Sequence, residues 1–140
     1  MPIVLDVSAA LSWVFTDERD AEARAIARAV LKEGAVVPAL WVWEIQNALT
    51  VAQRRGRISS EKVDGVLRHM EALPIEVDVV GPTLVFKSEV QTSRRFNLSA
   101  YDAAYLDLAL RRRSLLATRD GKLAHAADAL KIRWRQRVRS

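Results

Sequence analysis

Four short strand-like runs, Ile3 to Leu5, Ala35 to Val37, Ile75 to Val79 and Leu115 to Ala117, are separated by long stretches with helical spacing of apolar residues. An apolar run this short and unbroken fits a strand covered on both faces. Parallel strands need a crossover to return, and the crossover is usually a helix. The alternation therefore predicts an α/β fold with a central, mostly parallel sheet of four to five strands and helices on both faces. Ligands of such sheets bind beyond the carboxyl ends of the strands. The residues just after each run are thus the first to inspect for chemistry.

Between the runs, Asp6 or Ser8 caps a first helix reaching Trp13 to Phe15. Residues 18 to 32 put Ala23, Ile26, Ala27 and Val30 on one face and stop at Gly34. Pro38 opens a long helix to about Arg55, and Ser59 starts another that Pro74 closes. Gly81 and Pro82 turn into a helix over Leu84 to Arg95, Ser99 caps one to about Arg113, and Lys122 to Leu130 form the last. Beyond it Ile132, Trp134 and Val138 alternate with Lys131, Arg133, Arg135, Arg137 and Arg139, the pattern of an edge strand. Neither a repeat nor a low-complexity tract interrupts the 140 residues, which predicts one domain over 1–140.

Composition narrows the chemistry. With no cysteine and only His69 and His125, disulfides, thiolate zinc sites and iron-sulfur clusters are excluded, so any metal is held by oxygen. No apolar stretch approaches the roughly 20 residues of a membrane span, and the start Met-Pro-Ile-Val-Leu-Asp has no basic leader. The expectation is a cytoplasmic protein with no membrane contact. The net charge of +5 is unevenly spread: residues 111–140 hold ten basic and two acidic side chains, the other 110 residues twelve and fifteen. That asymmetry points to a polyanion or acidic partner, with Arg111, Arg112, Arg113, Arg133 and Arg135 as candidate phosphate contacts. Charge on an edge strand also guards against sheet-to-sheet aggregation, and the patch alone does not separate the two uses.

Four carboxylates stand apart from the rest. Asp6 directly follows the first strand and Asp120 lies just beyond the fourth. Glu44 sits mid-helix among Leu40, Trp41, Ala48 and Val51, with Gln46, Thr50, Gln53 and Arg54 on the solvent side. Asp102 interrupts a helix that is apolar nearly all round. Each has an ordinary use: Asp6 and Asp120 as helix caps, Asp102 as the acid of a capping box with Ser99. Glu44 has the weakest one, because no basic residue follows one turn away. Brought together, the four would repel one another unless protons or a divalent cation neutralised them, and magnesium or manganese suits an all-oxygen set.

The stretches Val4 to Ser8, Pro38 to Leu49, Tyr101 to Ala109 and Leu116 to Leu123, taken in order and spacing, resemble the PIN-domain nucleases. Within that family the chain is similar to the VapC-type toxins of bacterial toxin-antitoxin pairs, and the likeness covers essentially all of it. The resemblance implies that Asp6, Glu44, Asp102 and Asp120 bind the metal and are catalytic, with the Ser8 and Thr118 hydroxyls and the Asn47 amide in support. Some members carry another acid after the fourth, where Gly121 and Lys122 stand here. Asp107, five residues past Asp102 on the same helix, points away from it. The resemblance further implies strand order 3-2-1-4-5, a homodimer, and a VapB-type antitoxin whose tail crosses the toxin groove. Trp13, Phe15, Trp41 and Trp43 are available for that groove or for the core.

The expected activity is magnesium-dependent endonucleolytic hydrolysis of RNA, for which the resemblance implies 5′-phosphate and 3′-hydroxyl ends. The alternative is a catalytically silent PIN-fold module that binds RNA or protein. A phosphorylated receiver domain is disfavoured, because it needs adjacent acids after the first strand and Asp6 stands alone. A phosphatase with an Asp-x-Asp nucleophile is disfavoured because Ser8 occupies the second aspartate position.

Overall fold

The four expected runs all become strands in the computed structural model, which describes residues 1–15 and 17–137. They are β1 (Ile3–Leu5), β2 (Ala35–Pro38), β3 (Ile75–Asp78) and β4 (Leu116–Ala117). The sheet has the order β3-β2-β1-β4, and every pairing is parallel. The register sets Val4 opposite both Val36 and Leu116. β1 and β4 are buried throughout, as strands covered on two faces must be. β3 sits at one edge and is only half covered.

The expected fifth strand shrinks to one parallel bridge between Leu116 and Arg133. Leu116 N donates to Ile132 O at 2.8 Å, and Trp134 N donates to Leu116 O at 2.9 Å. The segment thus lies beside β4, at the outer place of the order 3-2-1-4-5, but β4 is only two residues long and offers little to pair with. Val138 and Arg139 lie outside the described residues.

The helices are α1 (Val7–Leu11), α2 (Ala21–Glu33), α3 (Leu40–Arg54), α4 (Ser60–Ala72), α5 (Pro82–Leu84), α6 (Val90–Phe96), α7 (Ala100–Arg112) and α8 (Gly121–Ala129). A π-helical turn, Val85–Glu89, joins α5 to α6 where one regular helix was expected. Side-chain caps match the sequence at Ser59 and Ser99, and the first helix takes Asp6 rather than Ser8 as its cap. Pro38 ends β2 instead of opening α3. It pairs there with Asp78 of β3 at the last position of the strand, past the residues paired with β1.

One apolar cluster joins the sheet to α2, α3 and α7, with Tyr105, Leu106, Leu108, Val4, Leu5, Leu49 and Leu116 fully enclosed. α7 is buried from Ala103 to Ala109, which leaves Tyr105 and Asp107 only partners inside the protein. Among the described residues no helix is long and apolar enough to cross a membrane.

Candidate metal centre

Asp6 continues the β1 line, its N–H donating to Ala117 O at 3.1 Å, and then turns into α1 as the cap. Its Oδ1 accepts from Ser8 Oγ at 2.7 Å and from Ala9 N at 2.9 Å, and its Oδ2 accepts a short bond from Thr118 Oγ1. The residue is 4% exposed. Burial pushes its carboxyl up to about 6, against the pull of these three donors, and Asp120 adds repulsion.

The same hydroxyls tie the loop after β4 to the loop after β1. Ser8 Oγ accepts from Arg119 N at 2.8 Å, and Thr118 Oγ1 accepts from Asp120 N at 3.0 Å. Asp120 then caps α8, its Oδ2 accepting from Leu123 N at 2.9 Å. Asp120 Oδ1 has no hydrogen bond among the described residues. The cap explains why an acid suits this position, and it consumes only one of the two oxygens.

Asp102 lies in the first turn of α7, where its N–H donates to Ser99 Oγ at 3.1 Å. The return bond of a capping box, from Ser99 N–H to the Asp102 carboxylate, is not formed among the described residues. Burial raises the Asp102 carboxyl first and Asp120 raises it further, while Lys122 and Ser99 oppose them. Glu44 is half-buried on α3, and its Oε1 accepts from Tyr105 Oη at 2.6 Å. Burial and then Asp102 raise the Glu44 carboxyl, and the Tyr105 bond lowers it.

The four acids therefore form a chain of mutual repulsion, Asp6 to Asp120 to Asp102 to Glu44. None is paired with a lysine or arginine among the described residues. Arg119, the nearest arginine in sequence to Asp120, is turned outward to Asp20 at 2.6 and 2.7 Å. In donor chemistry the set fits a hard divalent ion, because every available ligand is a carboxylate or hydroxyl oxygen. In geometry it is open: no three acids or histidines among the described residues stand close enough to enclose an ion. Magnesium is commonly held by one or two carboxylates with waters completing the shell, and that mode needs no closed cage.

Asn47 is exposed on α3, and its side chain makes no hydrogen bond to the four acids among the described residues. Asp107 does point away from Asp102: it is 3% exposed and accepts from Ser88 Oγ at 2.8 Å, Thr92 Oγ1 at 3.0 Å and Arg111 Nε at 3.3 Å. Four of the five candidate phosphate contacts are drawn to acids of this chain. Arg111 pairs with Asp78 and Asp107, Arg112 with Glu76 and Asp78, and both Arg133 and Arg135 with Asp128. Arg113, exposed at the end of α7, has no ion pair among the described residues. Trp41 and Phe15 are core residues at 6% and 9% exposure, while Trp43, next to Glu44, is 65% exposed.

Sequence reasoning did not single out Tyr105. The signal was its place three residues after Asp102, one turn along the same face of a largely apolar helix.

Comparison with known proteins follows this geometry. A family model described as PIN domain matches residues 3–129. No curated protein matches the chain significantly. Among solved structures, PAE2754 from Pyrobaculum aerophilum is similar with a TM-score of 0.63 and 22% identity, over 93% of this chain and 86% of that one. At that identity the likeness speaks for the fold.

Proposed function

The chain belongs to the PIN-domain family, and on that premise we propose that it is a magnesium-dependent endoribonuclease, the toxin of a toxin-antitoxin pair. The observation that carries the nuclease reading is the chain of four mutually repelling acids, Asp6 and Asp120 after β1 and β4 and Glu44 and Asp102 on α3 and α7, unpaired with any basic side chain among the described residues. Such an arrangement is costly unless a cation occupies it.

Asp120, Glu44 and Asp102 would hold the ion, each with carboxylate oxygen not taken up by hydrogen bonds, and Asp6 would contribute from its fixed position. When bound, a divalent ion lowers the pKa of a water and screens charge as it builds on the phosphoryl group. Ser8, Thr118 and the Ala9 N–H hold Asp6 in one orientation, so little rearrangement is left to the moment of reaction. Arg113 and Lys122 are the basic groups best placed for phosphate, being exposed and free of ion pairs among the described residues. Contacts from Arg111, Arg112, Arg133 and Arg135 would require each to exchange an acid of this chain for a phosphate.

The toxin role, the VapB-type antitoxin and the homodimer rest on the likeness to VapC-type toxins. Exposed Trp43 beside Glu44 is a suitable apolar contact for a segment lying across the site. One observation favours a second reading, a silent RNA- or protein-binding module: the acids as they stand do not enclose an ion. Asp120→Asn separates the two readings, because asparagine keeps the cap and removes the charge. RNA cleavage in magnesium should fall on the order of a hundredfold. Unchanged cleavage would remove the site, whereas manganese binding by the unaltered protein without any cleavage would favour the silent module.

A further inference from the structure

Tyr105 is a large polar side chain in an apolar place. It is 2% exposed, within the stretch Ala103 to Ala109 of α7 in which every residue is buried. A phenol buried this way loses free energy unless its hydroxyl finds a partner. The partner is Glu44 Oε1 at 2.6 Å, a residue 61 positions away on another helix. Phenylalanine would fill the same volume without this requirement, so packing alone does not account for the hydroxyl.

The bond fixes more than a core position. Glu44 is a long, half-buried side chain with three torsions, and among the described residues no other hydrogen bond holds its carboxylate. Asp6 has three donors, and Asp102 and Asp120 lie in the first turn and at the cap of their helices. Glu44, the longest of the four acidic side chains, depends on this single bond to a residue of another helix for its orientation. That bond takes Oε1 and leaves Oε2 without a protein donor. We propose that Tyr105 is a positioning residue of the metal centre, holding Glu44 by one oxygen so that the other is presented to the divalent ion. Outer partners of metal-bound carboxylates commonly have this role, and their loss typically costs ten- to a hundredfold in affinity.

The inference rests on the carboxylate-metal reading, and manganese affinity of the full-length protein, measured calorimetrically, tests it apart from cleavage. Four proteins are needed: unaltered, Tyr105→Phe, Glu44→Ala and the double variant. Tyr105→Phe should bind manganese on the order of tenfold more weakly while keeping its circular dichroism spectrum. In the Glu44→Ala background the same change should cost nothing more, because the bond through which Tyr105 acts is already gone. Equal loss in both backgrounds, or no loss in either, would overturn the positioning role. If Tyr105→Phe fails to fold, the hydroxyl is structural and the inference fails as well. If the unaltered protein binds no manganese, the metal reading itself falls, an outcome distinct from the others.

Discussion

Asp6 caps a helix, receives two hydroxyls and sits where its own charge is poorly solvated. Its folded carboxyl, at about 6, lies above the ordinary 3.8. The folded state therefore binds the proton more tightly than the unfolded chain does. Stability from this group is full below about pH 4 and is lost as pH rises through about 6. In metal-free protein, Asp6→Asn should remove that loss and stabilise at neutral pH by up to about 3 kcal/mol, read from urea unfolding in chelator. Destabilisation of similar size would show that the charged form is the favoured one. Metal has the opposite sign, since it needs the carboxylate ionised. Manganese affinity should weaken about tenfold between neutral pH and pH 5, and a flat profile would take Asp6 out of the ligand set.

At the scale of elements, the sheet and helices depend on a few positions with little latitude. Gly34 ends α2 and enters β2 with φ +79° and ψ 172°, a conformation almost restricted to glycine, and a Cβ there would lie 3.3 Å from Pro74 O. Gly34→Ala should cost about 2 kcal/mol in chemical unfolding, and a change below about 0.5 kcal/mol would show that the turn relaxes freely. Asp107 ties α7 to the π turn and α6 through Ser88 and Thr92, and joins Arg111 to this network. Asp107→Ala leaves those donors without an acceptor and should cost about 2 kcal/mol. Manganese affinity should stay as it was. Loss of affinity with little loss of stability would place Asp107 in the metal site after all.

Across the whole molecule, the basic segment 111–140 is less free than its composition suggests. The acids at Glu76, Asp78, Asp107 and Asp128 absorb arginines that would otherwise present a continuous positive surface. Apart from the pair at buried Asp107, these surface pairs add little to stability and, on the proposed reading, compete with phosphate. On the proposed nuclease reading, RNA binding should therefore be governed by a small number of phosphate contacts. In a salt series read by fluorescence anisotropy, Arg113→Ala should reduce the slope of log affinity against log salt by about one, and Arg133→Ala by less. The reverse order would show that the Asp128 pairs open on binding.

The alternation of strand-like runs with helices was enough to fix a parallel α/β sheet, because period and crossover length are local properties of the chain. Asp6 and Asp120 were legible as candidates for the same reason: Asp6 directly follows β1, and Asp120 lies in the short loop after β4. What local pattern left open was decided by long-range closure. Pro38 could open a helix or end a strand until β3 was known to lie beside it. Arg111, Arg112, Arg133 and Arg135 looked like free charge until the fold brought acids to them. Tyr105 became part of the site only when α3 and α7 met, 61 residues apart in sequence. A side chain's backbone geometry is set by its neighbours in the chain, but its partner is set by which surfaces the core forces together, and that lies outside any local window.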